Sequence, residues 1–99
     1  MSSTLWVVQA GADDEGLTLD ELCRACAVSP DWVDERVRAG LLVPLQYAGV
    51  WRFDAALLLR VRVMRRVERD FDAVPELAAL VADLQDEIRH LRARLRHGG

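Results

Sequence analysis

The chain has 99 residues, 52% hydrophobic and 29% charged, with a formal net charge of -3. That length predicts one small core that would gain from oligomerisation, the composition excludes wholesale disorder, and no apolar run approaches the ~20 residues that span a bilayer. The charge is lopsided, with 3 arginines against 8 acids in residues 1–50 and 10 arginines against 8 acids in residues 51–99, so general attraction to DNA is not expected.

Met1-Ser-Ser-Thr-Leu-Trp-Val-Val lacks a basic start and a long apolar stretch, so no secretory signal is expected. Residues 4–8, β-branched and aromatic, predict a short strand, and the acidic run Asp13-Asp14-Glu15 a polar loop. Thr18 followed by Glu21 forms a reciprocal capping pattern that opens a helix over residues 19–27, with Leu19, Leu22, Cys23 and Cys26 on one face. After a break at Ala27-Val28, Ser29 at the N-cap and Pro30 in the first turn open a second helix, which Gly40 stops. Leu45-Gln46-Tyr47 and Val50-Trp51-Arg52-Phe53 around Ala48-Gly49 predict a hairpin. Asp54 caps a third helix to about Arg69, and Pro75 opens a fourth to about Arg96.

Helix, tight turn, helix, two-stranded wing, helix is a winged helix-turn-helix outline. The run Thr18-Leu-Asp-Glu-Leu-Cys-Arg-Ala-Cys-Ala-Val-Ser-Pro, then Gly40-Leu-Leu-Val-Pro and Trp51-Arg-Phe-Asp, resembles the MerR-like helix-turn-helix and, more narrowly, the chaperone-modulator CbpM family, over roughly residues 17–96. The resemblance implies a mainly α, MerR-like winged helix-turn-helix with a small β wing and a long C-terminal helix. It also implies binding to the J-domain of a DnaJ/CbpA-like co-chaperone, with restraint of that co-chaperone's work with Hsp70. Relatives in the wider superfamily bind DNA as dimers, so the alternative is a MerR-type DNA-binding transcriptional regulator. An adaptor or toxin–antitoxin component is a third class. We expect a winged domain over residues 1–74 and a dimerisation helix over residues 75–99.

The second helix separates the first two readings by its charge. At ~100° per residue Val33 and Val37 share the core side, while Asp31, Asp34, Glu35 and Arg38 gather opposite, a balance of -2. In a DNA-reading helix-turn-helix that outer face meets bases and phosphates. Laid against the MerR-like pattern, Asp34 stands where that superfamily usually carries an arginine for DNA contact. Carboxylates there repel a duplex and suit a basic protein, so DNA is an unfavoured partner. Asp31, Asp34, Glu35 and Arg38, with Trp32 as an anchor, are the expected partner-binding residues, although acids in a first turn also serve the helix dipole.

Arg62, Arg65, Arg66 and Arg69 share one face of the third helix, a possible second charged face, with Leu57, Val61 and Met64 as the expected core stripe. On the fourth helix Leu77, Val81, Leu84, Ile88, Leu91 and Leu95 are spaced 4, 3, 4, 3, 4, a heptad seam that predicts a homodimer interface. Acids precede arginines along it, which suits an antiparallel pair.

Cys23 and Cys26 form a C-x-x-C, but both fall within a helix and the only histidines, His90 and His97, lie at the far end of the chain. Core thiols in a cytoplasmic protein are expected, with no metal and no cofactor. No catalytic constellation, Gly-rich phosphate loop or metal-ligand spacing stands out, so an enzyme is not expected.

Overall fold

In the computed structural model, which describes residues 16–98, the chain runs α1 (Leu19–Cys26), α2 (Pro30–Arg38), β1 (Leu45–Tyr47), β2 (Val50–Arg52), α3 (Ala55–Phe71) and α4 (Pro75–Gly98). This is the predicted helix-turn-helix, wing and long C-terminal helix. The strand expected at residues 4–8, with Trp6 on it, lies outside the described residues. The chain divides into two compact units, Met1–Arg62 and Val63–Gly99, with the boundary inside α3.

In the first unit the helix starts are chemically explicit. Thr18 Oγ1 accepts from the Glu21 amide at 3.1 Å, and Glu21 Oε1 accepts from the Thr18 amide at 2.8 Å, closing the capping box on α1. Ser29 Oγ accepts from the Trp32 amide at 3.0 Å, with Pro30 in the first turn of α2. Asp54 Oδ1 accepts from the Leu57 amide at 2.9 Å and starts α3.

Between α1 and α2 the chain reverses through Ala27 in the left-handed region, at φ 56 and ψ 46. The amides of Ala27 and Val28 both turn back to the Cys23 carbonyl, satisfying a helix end that would otherwise be bare. Arg62 of α3 donates to the Ala25 carbonyl at 3.2 Å, which supports the same helix end with positive charge. Arg60 donates to the Leu41 carbonyl at 2.9 Å and holds the segment between α2 and the wing.

The wing is a two-residue hairpin. Its turn residues Ala48 and Gly49 both have positive φ, 53 and 78, the mirror-image turn that matches the right-handed twist of the strands. Leu45 pairs with Arg52, Gln46 with Trp51, and Tyr47 with Val50. Just past β2, Phe53 exchanges both backbone hydrogen bonds with Leu17, at 2.7 and 2.9 Å, so the chain entering α1 is tied to the chain leaving the wing. Gly16 belongs to this junction: a Cβ there would stand 2.9 Å from the Phe53 carbonyl oxygen, and its φ is +84.

Leu17, Leu22, Cys26, Val33, Leu42, Phe53, Leu58 and Val61 form the core of this unit. Trp51 adds an edge-on contact to Phe53, with ring centroids 6.4 Å apart. Two details differ from the sequence reading. Leu58, and not Leu57, carries the buried stripe of α3 with Val61 and Met64, and Leu57 is half-buried. On α1 it is Cys26 that is buried, whereas Cys23 is only partly so. The shift is one position on α3 and three positions, about 60° around the axis, on α1, which is the resolution of a periodicity argument.

In the second unit Asp72, at φ 51, breaks the chain between α3 and α4, and the Val74 carbonyl accepts from the Leu77 and Ala78 amides to start α4. Met64, Ala78, Ala79 and Ala82 are buried. Among the described residues no helix is long and apolar enough to cross a membrane.

Candidate functional site

The outer face of α2 carries the predicted partner-binding residues, and the structure brings them together on one helix of nine residues. Asp31 and Glu35 are exposed, Asp34 and Trp32 half-buried, and Arg38 exposed, while Val33 points into the core. Val37 is only half-buried.

The acidic face is partly neutralised from within. Arg38 Nε donates to Asp34 Oδ2 at 2.6 Å, an i,i+4 pair whose side chains are 78% and 41% exposed. Arg36 Nη1 donates to Glu35 Oε1 at 3.1 Å and to the Trp32 carbonyl at 3.1 Å. Its guanidinium carbon lies 4.0 Å from the centroid of the Trp32 ring. Sequence reasoning missed Arg36, which is only 8% exposed although it is the most polar of side chains. The available signal was its spacing one turn after Trp32, the separation at which a cation meets an aromatic ring on a helix.

The arginines of α3 do not stand as one free stripe. Arg62 is committed to the Ala25 carbonyl, Arg69 pairs with Asp70 at 3.1 Å, Arg65 is half-buried and Arg66 is exposed. Arg52 on the wing is half-buried.

The seam of α4 is largely in water. Leu77, Leu84, Ile88, Leu91 and Leu95 are 42–74% exposed, and Val81 is half-buried. Leu80, outside the predicted seam, is exposed as well. At ~100° per residue these leucines lie on the side of α4 roughly opposite the buried Ala78, Ala79 and Ala82. Small side chains thus fill the buried side, and the large apolar surface faces out. Arg89 pairs with Asp86 on the same helix.

Neither cysteine is arranged for chemistry. Burial pushes the Cys23 thiol up, and the nearby Asp20 carboxylate pushes it further in the same direction, so the thiolate is disfavoured. Among the described residues no cluster of three or more His, Cys, Asp or Glu side chains is placed to hold a metal. An open depression on α4, lined by Gln85, Ile88, Arg89 and Arg92, offers no nucleophile and no general base.

Comparison with known proteins places this geometry. The pattern of the MerR HTH family of regulatory proteins matches residues 17–97. Chaperone modulatory protein CbpM from Coxiella burnetii strains Dugway 5J108-111 and RSA 331 / Henzerling II is 32% identical over 81 residues, covering 81% of this chain and 76% of the relative. The CbpM of strain CbuG_Q212 matches to the same extent. No solved structure matches the chain. Neither likeness is to an enzyme family. The match begins at Leu17, where the wing closes on the first helix, and runs through α4 almost to its end, so it covers every described element: this chain belongs to the MerR helix-turn-helix family of regulatory proteins, among the relatives of the CbpM chaperone modulators.

Proposed function

We propose that this protein is a cytoplasmic chaperone modulator whose α2 face binds the J-domain of a DnaJ/CbpA-like co-chaperone and keeps it from Hsp70. The observation that carries the reading is the composition of the helix that a DNA-binding relative would lay in the major groove. Here that helix presents Asp31, Asp34 and Glu35, with a half-buried Trp32 among them. Carboxylates on that surface are repelled by phosphate and attracted to a basic helix, and the likeness to proteins named CbpM supports the same choice of partner. J-domains carry a positively charged helix, so the mechanism is competitive docking: the α2 face covers that helix and occludes its contact with Hsp70. Steering by opposite charges makes the association fast and dependent on salt.

The protein acts as a homodimer in this reading. A single copy leaves the leucine side of α4 in water, at a cost of roughly 25 cal/mol for each Å² that a partner helix would cover. The seam spacing is symmetrical about Asp86, so two antiparallel copies set Leu77 against Leu95, Val81 against Leu91, and Leu84 against Ile88. The same arrangement brings the half bearing Glu76, Asp83, Asp86 and Glu87 towards the half bearing Arg89, Arg92, Arg94 and Arg96.

Calorimetry of the full chain against the J-domain of a DnaJ-type co-chaperone tests the proposal. The double substitution Asp34→Arg, Glu35→Arg is expected to abolish the interaction. Intact binding by that variant would remove α2 from the interface. The competing reading, a DNA-binding regulator, rests on the family fold alone and requires a gel shift of a palindromic site with a steep salt dependence.

A further inference from the structure

We propose that Arg36 is a positioning residue for the partner-binding face, holding the Trp32 indole and the Glu35 carboxylate in their docking geometry before a partner arrives. The inference rests on the reading of α2 as that face. Arg36 is 8% exposed, whereas the Glu35 side chain it touches is 73% exposed, so one end of the interaction is buried and the other lies at the surface. Burying a guanidinium is unfavourable unless its donors are used. Arg36 directs Nη1 to the Trp32 carbonyl and to Glu35 Oε1, each at 3.1 Å, and sets its guanidinium carbon 4.0 Å from the Trp32 ring centroid.

These three contacts converge on two neighbours in the predicted interface, and each removes a freedom. The cation over the ring fixes the tilt of the indole, and the ion pair fixes the rotamer of Glu35. A half-buried tryptophan that is already immobile gives up less conformational freedom on binding than a mobile one, and the gain appears as affinity. The α2 helix has its own cap in Ser29 and its own core anchor in Val33. An apolar residue in place of Arg36 would leave Trp32 and Glu35 without these restraints.

The test combines a partner-free signal with a binding measurement. Arg36→Met keeps the aliphatic stem and removes the guanidinium; Arg36→Lys keeps the cation without the planar fork. In ¹⁵N spectra of the free protein, with the Trp32 indole signal assigned by its loss in Trp32→Leu, Arg36→Met is expected to shift that signal and leave that of Trp51 in place. Binding to the J-domain should weaken roughly fivefold, Arg36→Lys should recover part of the loss, and the penalty should shrink when Arg36→Met is made on Trp32→Leu. If Arg36→Met lowers the melting temperature too far to be assayed, the indole shift and binding of Arg36→Lys decide the question. An unmoved indole signal, or an equal penalty in the Trp32→Leu background, with wild-type binding intact, would overturn the positioning role alone. Failure of the wild-type chain to bind any J-domain would overturn the partner reading and this role with it.

Discussion

Arg38→Ala separates the two functional classes by the sign of its effect. Arg38 is the exposed member of the 2.6 Å pair with Asp34, one turn apart on α2. An exposed i,i+4 pair contributes about 0.3–0.5 kcal/mol, and alanine is the better helix former by a few tenths, so folding stability should change by less than about 0.5 kcal/mol. Binding should change more. A basic residue of a partner must displace Arg38 from Asp34 and approach its positive charge; the first costs up to about 0.5 kcal/mol, and the second a similar amount at about 10 Å in water. Their sum of about 1 kcal/mol corresponds to roughly fivefold tighter binding to a J-domain. Titration calorimetry of wild type and variant at several salt concentrations measures both the gain and its salt slope, which should steepen as the Asp31, Asp34, Glu35 and Arg38 set passes from -2 to -3. On DNA the same substitution removes a cation from the groove-facing helix and must weaken binding. A variant that binds the J-domain no better, or worse, refutes the competition argument, and one that loses affinity for a duplex supports the regulator instead.

Other outcomes follow from the same structure. Leu84→Glu with Ile88→Glu places four carboxylates at the centre of an antiparallel seam and should convert a dimer to a monomer in sedimentation velocity, with the helicity of the winged unit retained. Gly16→Ala meets the Phe53 carbonyl oxygen at 2.9 Å in a left-handed conformation and should lower stability by about 2 kcal/mol in denaturant titration. Ala48→Asn, at φ 53 ahead of Gly49, supplies the residue this hairpin turn prefers and should raise stability by about 0.5 kcal/mol. Because burial and Asp20 hold the Cys23 thiol up, its alkylation at pH 8 should be slower in the native state than in urea, with the difference read by mass spectrometry.

The helix caps and the wing turn were legible without coordinates because their partners are neighbours in sequence. Thr18 with Glu21, Ser29 with Pro30, Asp54, and the Ala48-Gly49 turn each act within four residues, so the starts of α1, α2 and α3 and the wing could be read directly. The acidic character of α2 was equally visible, because a helix of known period sorts its own side chains into faces. Periodicity placed Val61 and Met64 on the buried stripe of α3 but gave its first member as Leu57 instead of Leu58, since the tilt of a helix against its core is set by its neighbours.

From length and charge, the chain was a small, mildly acidic protein with its arginines concentrated in the second half. Sequence by itself determined the order of elements, their caps, and the fact that the helix facing outward from the turn carries carboxylates. Tertiary structure alone decided what the arginines do. Arg62 reaches 37 residues back to a helix-end carbonyl, and Arg60 reaches 19 residues back to the chain ahead of the wing. Arg36 meets Trp32 and Glu35 within its own helix, but its withdrawal from solvent, to 8% exposure, is set by the fold packed around it. It also decided that α4 buries its alanines and turns its leucines outward. The reason is common to all of these: a charged or apolar side chain has several acceptable environments, and which one it occupies depends on groups that only the folded chain brings within reach.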